Sequence, residues 1–182
     1  MKLHLGCGQR HIPGFKHIDI IPHPHVDVVA AVDDLFMIAN DSVELVYACH
    51  ILEHFNRNSR KRVLDEWFRV LEPGGTLRVA VPDFEVCARM YLAGEATLPQ
   101  IHGLVLGGQT YLYNFHYALY DFETLREVLE GSGFRDVRRY DWRKTEHADV
   151  DDFAQAYLPH MDKEHGTLIS LNVEATKPES AG

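Results

Sequence analysis

Short apolar runs alternate with amphipathic ones along the chain, the pattern left by strands and helices taken in turn. Residues 3–5 form a brief apolar run that ends on two glycines, Gly6 and Gly8. A second strand is predicted over residues 17–21, reached through a segment containing Pro13-Gly14 that is too short for a full crossover helix. Residues 27–30 suit a third strand. Residues 43–49, after the turn signal Asn40-Asp41-Ser42, suit a fourth that is apolar through its centre, as burial on both faces requires.

Over residues 60–71 the period changes. Val63, Leu64, Trp67, Phe68 and Leu71 recur at helical spacing, which predicts a helix with one face on the sheet, ended by Pro73-Gly74-Gly75. Residues 76–81 alternate as a fifth strand and place Asp83 at the loop tip beyond it. A helix is expected near 86–92, whereas 103–114 shows no clear period, so 86–120 reads as a substrate-side insertion over the sheet edge. Asp121 resembles an N-cap for a helix through Leu125, Val128 and Leu129, closed by Gly131 and Gly133. Strands are predicted near 137–140 and over 168–176. The polar, acidic stretch 143–165 between them reads as a surface excursion. These elements describe one layered α/β domain over residues 1–182 with a mainly parallel sheet.

Composition narrows the function classes. The 182 residues are 46% hydrophobic and 25% charged, ordinary for a globular protein, and the net charge of −9 opposes an extended nucleic-acid face. No apolar run approaches the roughly 20 residues that span a bilayer, and no secretory h-region follows Met1, so a cytoplasmic protein without a transmembrane segment is expected. Cys7, Cys49 and Cys87 are odd in number and far apart, which predicts reduced thiols. Cys7, beside the glycines and with no base near it in sequence, reads as a small spacer.

The chemistry begins at the first strand. A glycine pair lets the backbone pass close to a ligand, and an acidic residue ending the second strand, here Asp19, can accept hydrogen bonds from both hydroxyls of a ribose. Leu3-His4-Leu5-Gly6-Cys7-Gly8, Pro13-Gly14-Phe15 and His17-Ile18-Asp19-Ile20 together resemble the opening of class I S-adenosylmethionine-dependent methyltransferases, in a compact, type-11-like subgroup with a shortened first helix. The stretch from Val43 through His50-Ile51-Leu52-Glu53-His54, the segment Leu71-Glu72-Pro73-Gly74-Gly75-Thr76-Leu77, and Asp121-Phe122-Glu123-Thr124-Leu125, Gly133-Phe134 and Leu171-Asn172-Val173-Glu174 continue the likeness in order over nearly the whole chain.

The resemblance implies a Rossmann-like, doubly wound sheet in three layers with an antiparallel last strand. It implies S-adenosylmethionine as cofactor, S-adenosylhomocysteine as product, and cofactor contacts from Gly6, Cys7, Gly8, Asp19, Ile20, Asp33, Asp34, Leu35, Cys49 and His50. Two departures fall at the adenine end. Ala31 and Val32 stand where the family often carries an acidic and an apolar residue, so that Asp33 or Asp34 would substitute, and Phe36 stands where it often has proline.

Methyl transfer to an oxygen or nitrogen of a small-molecule or glycan-like acceptor is the leading expectation, in a metal-free site and a monomer or homodimer. His116, within Tyr113-Asn114-Phe115-His116-Tyr117, then His50, then Asp83 are the candidate bases. Two rivals remain at this point. His50-x-x-Glu53-His54 also spells a zinc-hydrolase element, and the altered segment at residues 31–36 would suit a non-catalytic S-adenosylmethionine-binding module. His54 alone reads as a packing or capping residue. His4, His11, His17, His23 and His25 read as structural or exposed.

Overall fold

The computed structural model describes residues 1–179. Seven strands form one sheet in the order β3-β2-β1-β4-β5-β9-β6. Strands β1 (Lys2–Leu5), β2 (Phe15–Asp19), β3 (Val28–Val29), β4 (Val43–Cys49) and β5 (Leu71–Pro82) pair in parallel, and β9 (Ser170–Thr176) runs antiparallel between β5 and β6 (Arg135–Arg139). This is the Rossmann-like, doubly wound arrangement expected. The chain winds outward from β1 through β2 to β3 and then resumes on the other side with β4, so the carboxyl ends of β1 and β4 flank the topological switch point.

Alternation along β4 sorts the core. Val43, Val46 and Ala48 face a cluster built with α1 (Arg60–Val70) and α4 (Phe122–Gly131), in which Trp67 is fully buried and donates its indole N–H to the Val32 carbonyl at 2.9 Å. Leu45, Tyr47 and Cys49 face the other side, against Ile12, Phe15 and Ala154. Helix α2 (Phe84–Leu92) and α3 (Leu98–Leu106) pack with Ile169 and Ala156 in a third cluster.

Several boundaries differ from the sequence reading, each for a physical reason. The segment 143–165 is no loose excursion. Two 3-10 turns, Trp142–Lys144 and Phe153–Gln155, and a small hairpin of β7 (Tyr157–Leu158) and β8 (Thr167–Leu168) lie within or beside it, and they bury His147, Asp152, Ala154 and Gln155. Its buried Asp152 is tied to β4, where Tyr47 donates its hydroxyl to Asp152 Oδ2 at 2.6 Å, while His147 Nδ1 is buried without a partner. Helix α3 shows no clear period in the sequence because Leu98-Pro99-Gln100-Ile101 and Leu104-Val105-Leu106 give little polar contrast around it; its Thr97/Gln100 capping box is the usable signal. The last strand breaks at Ile169, where residues 167–168 leave for the hairpin. Helix α1 stops at Val70, and Pro73-Gly74-Gly75 joins β5 with a register shift against β4. The β1–β2 connection is nine residues, 6–14, with no helix at all.

Candidate active site

Every cofactor candidate sits at the carboxyl edge of the sheet. Gly6, Cys7 and Gly8 follow β1, Asp19 and Ile20 end β2, Asp33, Asp34 and Leu35 follow β3, and Cys49 and His50 end β4. The turn after β1 uses left-handed backbone at both glycines, with φ of 61° at Gly6 and 51° at Gly8. Their surroundings differ. A Cβ on Gly6 would stand 2.0 Å from Ile51 Cδ1, so that clearance is filled by protein, whereas a Cβ on Gly8 would meet nothing within 4 Å. Gly8 therefore leaves open space beside the turn after β1.

Asp19 is buried, at 6% exposure, yet holds the same turn: Oδ2 accepts the Gly8 N–H at 2.7 Å and Oδ1 accepts the Ile21 N–H at 2.8 Å. Each carboxylate oxygen keeps a further lone pair for a hydroxyl. Ile20, beside it, is exposed. At the third position Asp33 pairs with Arg62, Asp34 faces solvent, and Leu35 is fully buried with its N–H on Glu66 Oε1 and its carbonyl on Arg69, so Leu35 is committed to the core. Phe36 is 81% exposed. Cys7 and Cys49 are buried, and burial pushes the Cys7 thiol up to about 12.

The candidate bases fall into two groups. Asp83 is spent structurally: Oδ1 caps α2 by accepting the Val86 N–H at 3.2 Å, and Oδ2 faces Arg139 Nη1 at 3.4 Å. His50 and His116 converge on Glu53. His50 has left-handed backbone, φ 53°, and its Nδ1 lies 3.4 Å from Glu53 Oε1; His116 Nε2 lies 3.9 Å from the same oxygen. Glu53 belongs to a single 3-10 turn, Leu52–His54, and is fully buried. Its backbone carbonyl accepts the N–H groups of Tyr117 and Ala118, which ties the loop carrying His116 onto the turn.

Burial governs the ionisation of this group. It pushes the Glu53 carboxyl up to about 8 and holds His50 down at about 3, with the neighbouring His116 and His54 lowering it further; His54 and His116 are also lowered by burial. Three imidazoles thus surround a buried carboxyl group at the end of β4. Because His50 precedes a single 3-10 turn, His50 and His54 do not share a helical face as a zinc-hydrolase pair would. Their partner is His116, 62 residues beyond His54, and no local spacing in the sequence announces it. The amino-terminal histidines come together as well: His11 stacks on His17 at 4.9 Å, and His23 on His25 at 5.9 Å.

Residues 16–79 match the family described as a methyltransferase domain. A methyltransferase from Burkholderia thailandensis that acts on 1,6-didemethyltoxoflavin at N1, solved with that compound and S-adenosylhomocysteine, superposes with a TM-score of 0.58 at 14% identity, covering 98% of this chain and 71% of its own. An S-adenosylmethionine-dependent methyltransferase from Archaeoglobus fulgidus superposes at 0.57 and 14% identity, with 97% and 85% coverage, and one from Thermotoga maritima at 0.57 and 15%, with 97% and 81%. No curated protein matches the chain. The matched stretch is about a third of the chain, and the whole chain shares the fold of these solved methyltransferases. Among the described residues no helix is long and apolar enough to cross a membrane.

Proposed function

We propose that the chain methylates an oxygen or nitrogen of a small-molecule or glycan-like acceptor, admitted between the cofactor cradle and the loop 107–119. One observation carries this reading. The open glycine turn after β1 and the buried polar group after β4 stand on hydrogen-bonded neighbouring strands, Leu5 opposite Ala48, about 5 Å apart. A site for the methyl donor and a site that can handle the acceptor's proton are thus side by side.

In this reading Gly6, Cys7 and Gly8 present backbone to the cofactor, Asp19 takes the ribose hydroxyls, and Ile20, Asp33 and Asp34 flank the adenine. When bound, S-adenosylmethionine supplies a methyl group on a positively charged sulfur. The protein's own work is to align the acceptor and to withdraw its proton at the His116 and His50 side of the pocket. Asp83 keeps its capping role. The exposed Tyr111, Leu112, Tyr113 and Tyr117 give the loop an apolar surface suited to a ring-bearing acceptor.

The test is direct. The purified chain is titrated calorimetrically with S-adenosylhomocysteine, then incubated with labelled S-adenosylmethionine and separate panels of hydroxyl- and amine-bearing acceptors. Product carrying the label, together with cofactor binding that Asp19→Ala weakens, supports the reading. Binding without any labelled product across both panels favours the non-catalytic module, and absence of binding overturns the proposal.

A further inference from the structure

Glu53 is the group that proton handling alone leaves unexplained. Its side chain is 0% exposed, and neither carboxylate oxygen has a hydrogen-bond partner. Buried carboxylates are retained where a charge or a set of donors compensates them, and here no side chain bonds either oxygen.

The imidazoles around it turn lone pairs inward. His116 Nδ1 meets the Leu104 carbonyl at 2.9 Å, and the tautomer that serves this bond leaves Nε2, the atom facing Glu53, without a hydrogen. On His50 the outer nitrogen, Nε2, faces Ser170 Oγ at 3.3 Å. The Ser170 hydroxyl donates to Asn172 Oδ1 at 3.0 Å, so its oxygen is the acceptor for His50 and the inner Nδ1 again carries a lone pair. His54 Nδ1 meets the Phe115 carbonyl at 2.9 Å, which fixes its tautomer in the same way. One donor atom each from Glu53, His54 and His116 lies within 4.8 Å of the others. Once Glu53 gives up its proton, acceptors face acceptors across this space, and a cation is what such a ring accommodates. The backbone carbonyls behind His54 and His116 are the outer partners that metal-binding histidines ordinarily have.

We propose that Glu53, His54 and His116, with His50 beside the carboxylate, form a binding site for one divalent cation of the zinc type. Imidazole nitrogens with one carboxylate suit zinc, cobalt or iron far better than magnesium, which demands oxygen ligands. Four-coordinate zinc holds its ligands roughly 3.4 Å apart, so the donors draw together by about an ångström on binding. Three protein ligands leave a coordination position open. Resting on the methyltransferase reading, that position takes an oxygen of the acceptor, which favours a hydroxyl-bearing acceptor over an amine; with the cation bound His116 serves as a ligand, and the acceptor's proton passes to His50.

The test uses the full chain after chelator treatment, titrated with zinc chloride by calorimetry and with cobalt chloride by visible absorption. One cation per chain and ligand-field bands are expected, with affinity lowered roughly a hundredfold in Glu53→Gln and in His116→Ala. His25→Ala, in the amino-terminal histidine stack away from this cluster, leaves binding unchanged. The proposal is overturned by binding no tighter than millimolar, by unaltered binding in both cluster variants, by loss of binding in His25→Ala, or by a preference for magnesium. Should Glu53→Gln fail to fold, His54→Gln with the cobalt spectrum gives the same reading. Titration of the same samples with S-adenosylhomocysteine separates the two proposals: failure there removes the methyltransferase reading and leaves the cation site standing or falling on its own stoichiometry.

Discussion

The Asp19 carboxylate accepts the Gly8 N–H at 2.7 Å, so the residue proposed for the ribose also fixes the glycine turn after β1. Removing it acts twice. Asp19→Ala should weaken S-adenosylhomocysteine binding by about 10- to 100-fold, the loss of one or two hydrogen bonds to a charged group, and should lower unfolding free energy by about 1–3 kcal/mol because the Gly8 and Ile21 N–H groups lose their partner. Calorimetry and denaturant unfolding read the two effects separately. Normal affinity in a destabilised protein would reduce Asp19 to a support for the turn.

Gly6 and Gly8 should respond differently to the same change. Both have left-handed backbone, so alanine costs about 1–2 kcal/mol at either position. At Gly6 the new Cβ also collides with the Ile51 side chain, which must shift. Gly6→Ala is therefore expected to be the more destabilising, and Ile51→Ala combined with it less so than the sum of the single changes, in a double-mutant cycle. At Gly8 the stability loss stops at that backbone strain and the cofactor affinity carries the further effect, since its Cβ would project into open space.

The legibility of this chain follows the range of its interactions. The meeting of Gly8 with Asp19 is legible because strand, turn and acidic residue lie close in sequence, and the mainly parallel sheet follows from the alternation of elements. Glu53 and His54 were visible only as a short pattern. Their convergence with His116 depends on Tyr117 and Ala118 bonding back to the Glu53 carbonyl, a contact across more than sixty residues that no periodicity encodes. The segment 143–165 misled for a related reason: polarity usually marks solvent, but Asp152 is polar in order to hold Tyr47 beneath the sheet. Helix α3 was hidden by its own apolarity, with too little contrast between its faces.

A stack of buried histidines beneath β1 makes the fold acid-sensitive. His4 packs against Tyr47 at 5.2 Å and His17 at 5.4 Å, with Phe15 and the more distant His147 and His25 around it; burial, reinforced by those histidines, holds it down at about 3, and burial holds His147 at about 4. Both folded values lie below the ordinary 6.5, so the unfolded chain binds more protons in that window. Stability from these groups is complete above pH 6.5 and is lost as pH falls toward 4. Each contributes a slope of up to about 1.4 kcal/mol per pH unit. His4→Phe keeps the ring and removes one such slope, so the acid limb of unfolding free energy against pH should flatten by about 1 kcal/mol per unit between pH 6 and 4. An unchanged limb would show that His4 does not titrate on unfolding.

Asp83 distinguishes a cap from a base. Its position beyond β5, at the edge where doubly wound sheets build their sites, suits a base, but both oxygens are engaged, by the Val86 N–H and by Arg139. Asparagine is as good an N-cap as aspartate but cannot take a proton, whereas alanine does neither. Asp83→Ala should therefore cost about 1–2 kcal/mol of stability, mostly from the cap, because Arg139 is half exposed and its pairing is screened by solvent. Asp83→Asn should hold most of that stability and keep turnover within about tenfold of the parent, far short of the 10²- to 10⁴-fold loss that removal of a general base produces. Measuring kcat and unfolding free energy on both variants decides the matter: a stable Asp83→Asn protein with turnover reduced a thousandfold would return Asp83 to the reacting centre and displace His116 from it.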